Sequence, residues 1–168
     1  RCGRGTENGA TEVLFEAMHT GHSVYATLHA DTAEQTYRRL TNPPINVPEL
    51  MLESLHLLVV CFRDRRKGVR RILQVSELLT GGERGTTINT LYRYKPLKDN
   101  VIKENESYRF VNELKTHTGM SDEEIQNDLV DKMNILVWMS KHQVNTVDSI
   151  GRLVTQYYND YENMIDVV

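Results

Sequence analysis

The feature that most limits the fold is a change in the spacing of apolar residues near residue 95. Before it, short β-branched and aromatic runs alternate with turn residues; after it, apolar residues recur every three or four positions. Period-two patterns suit strands and period-3.6 patterns suit helices, so two differently built parts are predicted. Residues 1–94 are expected to form an α/β part containing an antiparallel meander. Residues 95–107, with Pro96, Asn100 and alternating charge, are expected to be a linker. Residues 108–168 are expected to close a small helical bundle.

Within residues 10–20, Val13, Leu14, Ala17 and Met18 share a helical stripe, and Gly21 suits the left-handed position that ends a helix. Ser23 to His29 is β-branched and aromatic and is predicted as a strand. The next helix, capped by Asp31 or Thr32 with Tyr37 and Leu40 facing inward, must stop at Asn42-Pro43-Pro44. Pro48 opens a short helix through Leu55. Leu57–Phe62 is read as a buried strand, and Val69–Leu79 and Thr86–Tyr94 as further strands. The turns between them are Arg63–Gly68 and Gly81-Gly82.

In the second part, a helix over 108–118 ends at Gly119, and Ser121-Asp122-Glu123-Glu124 is a capping box. It opens a long helix with Ile125, Leu129, Met133, Leu136 and Met139 expected on its inner side. Trp138, Met133 and Met139 have helical spacing and are expected in the core. A last helix from Thr146 or Asp148 carries Val147, Ile150, Leu153, Val154 and Tyr157.

Composition excludes several classes. At 39% hydrophobic and 26% charged residues, the chain is too apolar for a disordered tail. Its longest apolar run, Leu57–Phe62, is far shorter than the roughly 20 residues a membrane-crossing helix needs. Cys2 and Cys61 have neither ligand nor redox spacing, so a reducing cytoplasm is expected. A net charge of −3 gives no general reason to expect nucleic acid. The charge is uneven, with 12 Lys+Arg and 10 Asp+Glu in residues 1–94 against 8 and 13 in residues 95–168. The chain begins at Arg1 rather than methionine, which leads us to expect an upstream part.

Three histidines, His19, His22 and His29, lie close together across a predicted helix end, turn and strand. A zinc site is weakly indicated, because no cysteine pair or His-Glu-x-x-His pattern accompanies them. A structural role, with His22 at the helix end and His29 on a backbone carbonyl, is the simpler account of the residues alone.

The stretch Thr20-Gly21-His22-Ser23-Val24-Tyr25-Ala26-Thr27-Leu28-His29-Ala30-Asp31 resembles the histidine box of the secretion ATPase superfamily. That group includes type II secretion, type IV pilus and archaellum motors. Arg38-Arg39-Leu40 continues the likeness, and Pro44-Ile45-Asn46-Val47-Pro48 resembles the archaeal branch, as does the tail around Gly119-Met120-Ser121 and Tyr157-Tyr158. The resemblance implies an α/β fold, part of a RecA-like P-loop core, in residues 1–94, with the helical bundle behind it. It implies a hexamer at the inner face of the cell membrane, under an integral membrane platform protein, with ATP and magnesium as cofactors. By resemblance His22 and His29 sense the terminal phosphate, supported by Thr20 and Thr27. A histidine at a strand end can donate to that phosphate and register its loss. Coupling to Arg38 and Arg39 is the accompanying expectation; solvated charges on a helix face are the alternative.

The chain departs from the family in two places. No Gly-Lys pair occurs, so there is no P-loop, and Gly81-Gly82-Glu83-Arg84-Gly85-Thr86-Thr87 reads as a turn. The family's acidic motif is matched by Arg4, Gly5 and Glu7, but Cys2 stands where its glutamate belongs, and a thiol is a poor magnesium ligand. This chain alone is therefore expected neither to bind Mg–ATP nor to hydrolyse it. The alternative function is a non-catalytic adaptor whose histidine box is a relic.

Arg63, Arg65, Arg66, Lys67, Arg70 and Arg71 place six cations in nine positions. They are read either as a solvated turn or as a contact for an acidic partner surface or lipid headgroups. Nucleic acid is disfavoured because aromatic residues are not interleaved with them. The acidic helical tail is expected to contact a neighbouring subunit, by resemblance. If residues 1–94 supply only the later strands of a sheet, an open edge and self-association are expected.

Overall fold

The computed structural model describes residues 6–82 and 85–160. The fold is α/β, with helices α1 (Thr6–His19) and α2 (Ala33–Thr41), a 3-10 helix (Glu49–Ser54), and strands β1 (Leu58–Asp64), β2 (Val69–Gly82), β3 (Gly85–Lys95) and β4 (Asn100–Lys103). Helices α3 (Arg109–Thr118), α4 (Asp122–Lys141) and α5 (Val147–Asn159) follow. The chain divides into two compact units, Arg1–Glu113 and Leu114–Val168.

In the first unit the four strands form one antiparallel meander in the order β1-β2-β3-β4. Bulges fall at Val60/Cys61, Val75/Ser76 and between Leu79 and Gly82. Residues 95–107, expected to be a linker, instead carry the end of β3 and the whole of β4. Lys95 pairs with Asn100 across a tight turn, so the charged residues there form the outer hairpin of the sheet. Ser23–His29, expected as a strand, is irregular. A strand is defined by its ladder, and none of the four strands pairs with this segment.

The core of this unit joins Phe15 of α1, Ala33 and Leu40 of α2, Val47, Leu52 of the 3-10 helix, Leu58 of β1 and Leu78 of β2. Phe15, rather than the expected Val13 and Leu14, anchors α1; Val13 is 63% exposed. The aromatic ring removes the most apolar surface from water, and it sets the face of the helix accordingly. Pro48 precedes the 3-10 helix, and α2 stops at Asn42 before the prolines, as their chemistry requires. Strand β1 is not buried on both faces as expected. Leu58 and Val60 are buried while Val59, Cys61 and Phe62 are exposed, the alternation of an edge strand covered on one side.

The second unit is held by α4 and α5. Ile135, Met139 and Tyr157 are buried, with Trp138, Val144, Ile150 and Leu153 packed around them. The Ser121 capping box is formed: Ser121 Oγ accepts from the Glu124 amide at 3.2 Å, and Glu124 Oε2 from the Ser121 amide at 2.7 Å. Tyr157 Oη donates to Asp128 at 3.0 Å, tying the two helices. The buried face of α4 differs from the expected stripe. Ile125 and Met139 are buried, but Leu129, Met133 and Leu136 are exposed, and Ile135 takes their place. Apolar residues occupy more than one side of α4, so spacing alone does not single out the buried face. Helix α3 has no buried residue, so the three-helix closure is replaced by a two-helix core. No helix among the described residues is long and apolar enough to cross a membrane.

Candidate functional site

The histidine box begins where α1 ends. The His22 amide donates to the Ala17 carbonyl and the Gly21 amide to the Met18 carbonyl, each at 3.0 Å, with Gly21 at φ +84°. These paired bonds close a helix and satisfy two otherwise orphaned carbonyls, and a side chain at Gly21 would be strained. Thr20 Oγ1 bonds back to the Ala17 carbonyl at 2.9 Å and lies 3.1 Å from His22 Nδ1. The Thr-Gly-His triplet is thus one capped turn, with the His22 ring held by Thr20.

At the far end of the box, the Arg39 guanidinium donates to the main-chain carbonyl of His29. Helix α2 supplies that arginine from a well-set start. Thr32 Oγ1 accepts from the Gln35 amide at 3.1 Å, and the Asp31 amide donates to Gln35 Oε1 at 2.9 Å. Residues Thr20–Asp31 therefore span a loop whose main chain is tied at both ends, by the helix cap and by Arg39. His22, Thr27 and His29 are exposed along it, as are Arg38 and Arg39 on α2. The Arg38 side chain makes no hydrogen bond or ion pair among the described residues. His19 is drawn elsewhere, 3.3 Å from Ser54 Oγ. Arg4 and Cys2 lie outside the described residues; Glu7 falls on the α1 backbone, with its side chain outside them.

Two polar arrangements escaped the sequence reading. Gln74, Ser76 and Thr90 are buried together: Gln74 Nε2 donates to Ser76 Oγ and Thr90 Oγ1 at 2.9 Å each, and its Oε1 accepts from the Ala33 amide at 3.4 Å. This fixes the start of α2, and with it Arg38 and Arg39, to the sheet. Glu77, fully buried, caps α3 from across the sheet. Its carboxylate accepts from the Tyr108 amide at 2.8 Å, the Phe110 amide at 3.1 Å, Ser107 Oγ at 2.8 Å and Asn89 Nδ2 at 2.9 Å. Burial opposes ionisation of Glu77, but the bonds from Asn89, Tyr108, Ser107 and Phe110 outweigh it and hold its pKa below the ordinary value. The only signal in the sequence was a row of polar residues inside a strand. Nearby, Arg109 Nε bonds Glu113 at 2.8 Å, and His56 Nε2 lies 3.1 Å from Glu113 Oε2 without hydrogen-bond geometry.

This sequence has no Gly-Lys pair to surround the phosphates of Mg–ATP. The loop offers imidazole groups, and α2 beside it offers the Arg38 and Arg39 guanidinium groups. Among the described residues no three His, Cys, Asp or Glu side chains converge on a common point. The arrangement can present cationic and hydrogen-bonding groups to an anion supplied from outside the loop.

No family model matches the chain. It is similar to uncharacterized proteins of Methanocaldococcus jannaschii. One is 32% identical over 143 residues, which cover 83% of this chain and 20% of that protein. A second is 29% identical over 154 residues, 89% of this chain and 56% of the relative. A third is 27% identical over 153 residues, 87% and 28%. The chain spans between a fifth and somewhat over half the length of these relatives.

Proposed function

We propose that this chain is the C-terminal part of a secretion, pilus or archaellum motor of the archaeal branch. In that reading, its sheet and helices are the later portion of a RecA-like core. The observation that carries it is the loop Thr20–Asp31. Its sequence resembles the histidine box, and its main chain is tied by the Gly21 cap and by Arg39 while both imidazoles stay exposed. Preorganised donors aimed at developing charge are what a phosphate sensor requires. His22 and His29 are the sensing pair, and Arg39 is a positioning residue acting through the His29 carbonyl. A hexamer under a membrane platform protein, at the inner face of the membrane, belongs to the same proposal.

The absent Gly-Lys pair favours a second reading, a non-catalytic adaptor that keeps the box without using it. Calorimetric titration with a magnesium-bound, non-hydrolysable ATP analogue tests this chain by itself. No heat is expected under both readings, whereas binding lost in His29→Ala would overturn the claim that the phosphate cradle lies elsewhere. ATP turnover then separates them, measured in a protein carrying this segment together with a P-loop. The motor reading expects His29→Ala to lower turnover at least tenfold with nucleotide affinity retained. Unchanged turnover would leave the adaptor.

A further inference from the structure

The β1–β2 hairpin carries more positive charge than the fold can use. In its register Arg63 stands directly opposite Arg70, and Cys61 opposite Ile72, so both arginines share one sheet face. Like charges directly opposite one another destabilise a hairpin. The turn that follows adds Arg65, Arg66 and Lys67, all exposed. The one acid there, Asp64, is occupied by the turn itself, accepting from the Arg66 amide at 2.9 Å and the Lys67 amide at 3.2 Å. Arg71 is neutralised by Asp99, with two bonds of 2.8 Å, and Tyr94 donates to the same carboxylate at 2.7 Å. That pairing holds Asp99 well below the usual carboxylate range. Arg63, Arg65, Arg66 and Arg70 have no ion-pair partner among the described residues.

Strand β1 is also an edge of the sheet. Its distal residues, Cys61, Phe62 and Arg63, are exposed, and among the described residues no backbone bond outside the β1–β2 ladder involves them. Charged side chains on an edge strand guard it against aggregation. Four unpaired arginines beside an open row of main-chain donors and acceptors do more, because they favour one kind of incoming strand.

We infer that the distal half of β1, with Arg63, Arg65, Arg66 and Arg70, is a docking site for an extended acidic segment of a partner protein. The segment would add a strand to the sheet. Main-chain bonds to the edge would supply affinity, and carboxylates at every second position would meet the arginine face and relieve the Arg63–Arg70 repulsion. A nucleic acid offers the charge but not the alternating amide and carbonyl groups, and Phe62 is a single aromatic residue among these cations. The inference stands on the hairpin alone and does not depend on the phosphate-sensing reading.

The test is fluorescence anisotropy of this chain with a capped, labelled peptide of alternating glutamate and valine, about ten residues long. Micromolar binding is expected, weakening about tenfold as salt rises from low to several-fold physiological strength. A peptide with proline at alternate valines keeps the charge but lacks strand donors, and it is expected to bind at least tenfold more weakly. The double variant Arg63→Glu/Arg66→Glu is expected to abolish binding while keeping the melting curve of the parent. Equal affinity for the proline peptide would overturn strand addition, and absent binding would overturn the site altogether. Tighter binding of single-stranded RNA than of the peptide would overturn the choice of partner.

Discussion

Glu77 of β2 accepts the Tyr108 amide proton at 2.8 Å, so the first turn of α3 is capped by a carboxylate from a strand 31 residues earlier. With Ser107, Phe110 and Asn89 also donating, a single buried side chain ties β2, β3 and α3 together. The negative charge sits at the helix end where the macrodipole favours it.

Replacing Glu77 by Ala is expected to cost on the order of 3 kcal/mol, because several buried donors lose their acceptor at once. Glu77→Gln, which keeps one acceptor oxygen, is expected to cost about half as much. Urea unfolding followed by circular dichroism measures both. A loss below about 0.5 kcal/mol for the alanine variant would refute the capping role.

The same residue gives stability a pH dependence. Its pKa is lower in the folded chain than the ordinary 4.5, so the folded state binds fewer protons through the acid range. The contribution is therefore fully present above pH 4.5 and is lost as pH falls through the folded-state pKa. Thermal melts of the parent from neutral to acid pH should show this decline, and Glu77→Gln should flatten it. Parallel declines in the two proteins would assign the dependence to other carboxylates.

Arg39→Ala is expected to free the His29 end of the candidate loop while changing stability by less than about 0.5 kcal/mol, since the guanidinium is exposed. Amide hydrogen exchange should accelerate over residues 22–31 and stay constant in β2 and β3. Unaltered exchange in the loop would show that Arg39 does not hold it.

Gly21→Ala should destabilise the turn before His22 by about 1 kcal/mol, because an alanine at φ +84° is strained. Nothing lies within 4 Å of the added methyl, so the cost is conformational rather than steric. A denaturation midpoint unchanged from the parent would contradict the cap geometry.

Adjacent residues on α4 should respond oppositely. Ile135, 6% exposed, is expected to cost about 2–4 kcal/mol on mutation to Ala. Leu136, 64% exposed, should tolerate Gln within about 0.5 kcal/mol. Equal losses at the two positions would mean that the buried face of α4 is assigned wrongly.

Sequence alone determined much of the punctuation of this protein: Gly21 and Asn42 at helix ends, Ser121 at a helix start, and the charged turn between β1 and β2. It narrowed the start of α2 to Asp31 or Thr32, and the structure chose Thr32; Gly81-Gly82, read as a turn, instead ends β2. The sequence also displayed the histidine box as a contiguous pattern. These features depend on residues a few positions apart, so their energetics are local and can be read along the chain. Tertiary structure alone decided that Ser23–His29 forms no ladder, that residues 100–103 do, and that α4 buries Ile135 rather than Leu136. It also paired Arg39 with the His29 carbonyl and Glu77 with α3. Each of those outcomes rests on which distant group arrives beside a residue. Strand propensity and apolar spacing describe only what one partner can offer; the ladder, the packed face and the satisfied buried charge exist only when the second partner is in place.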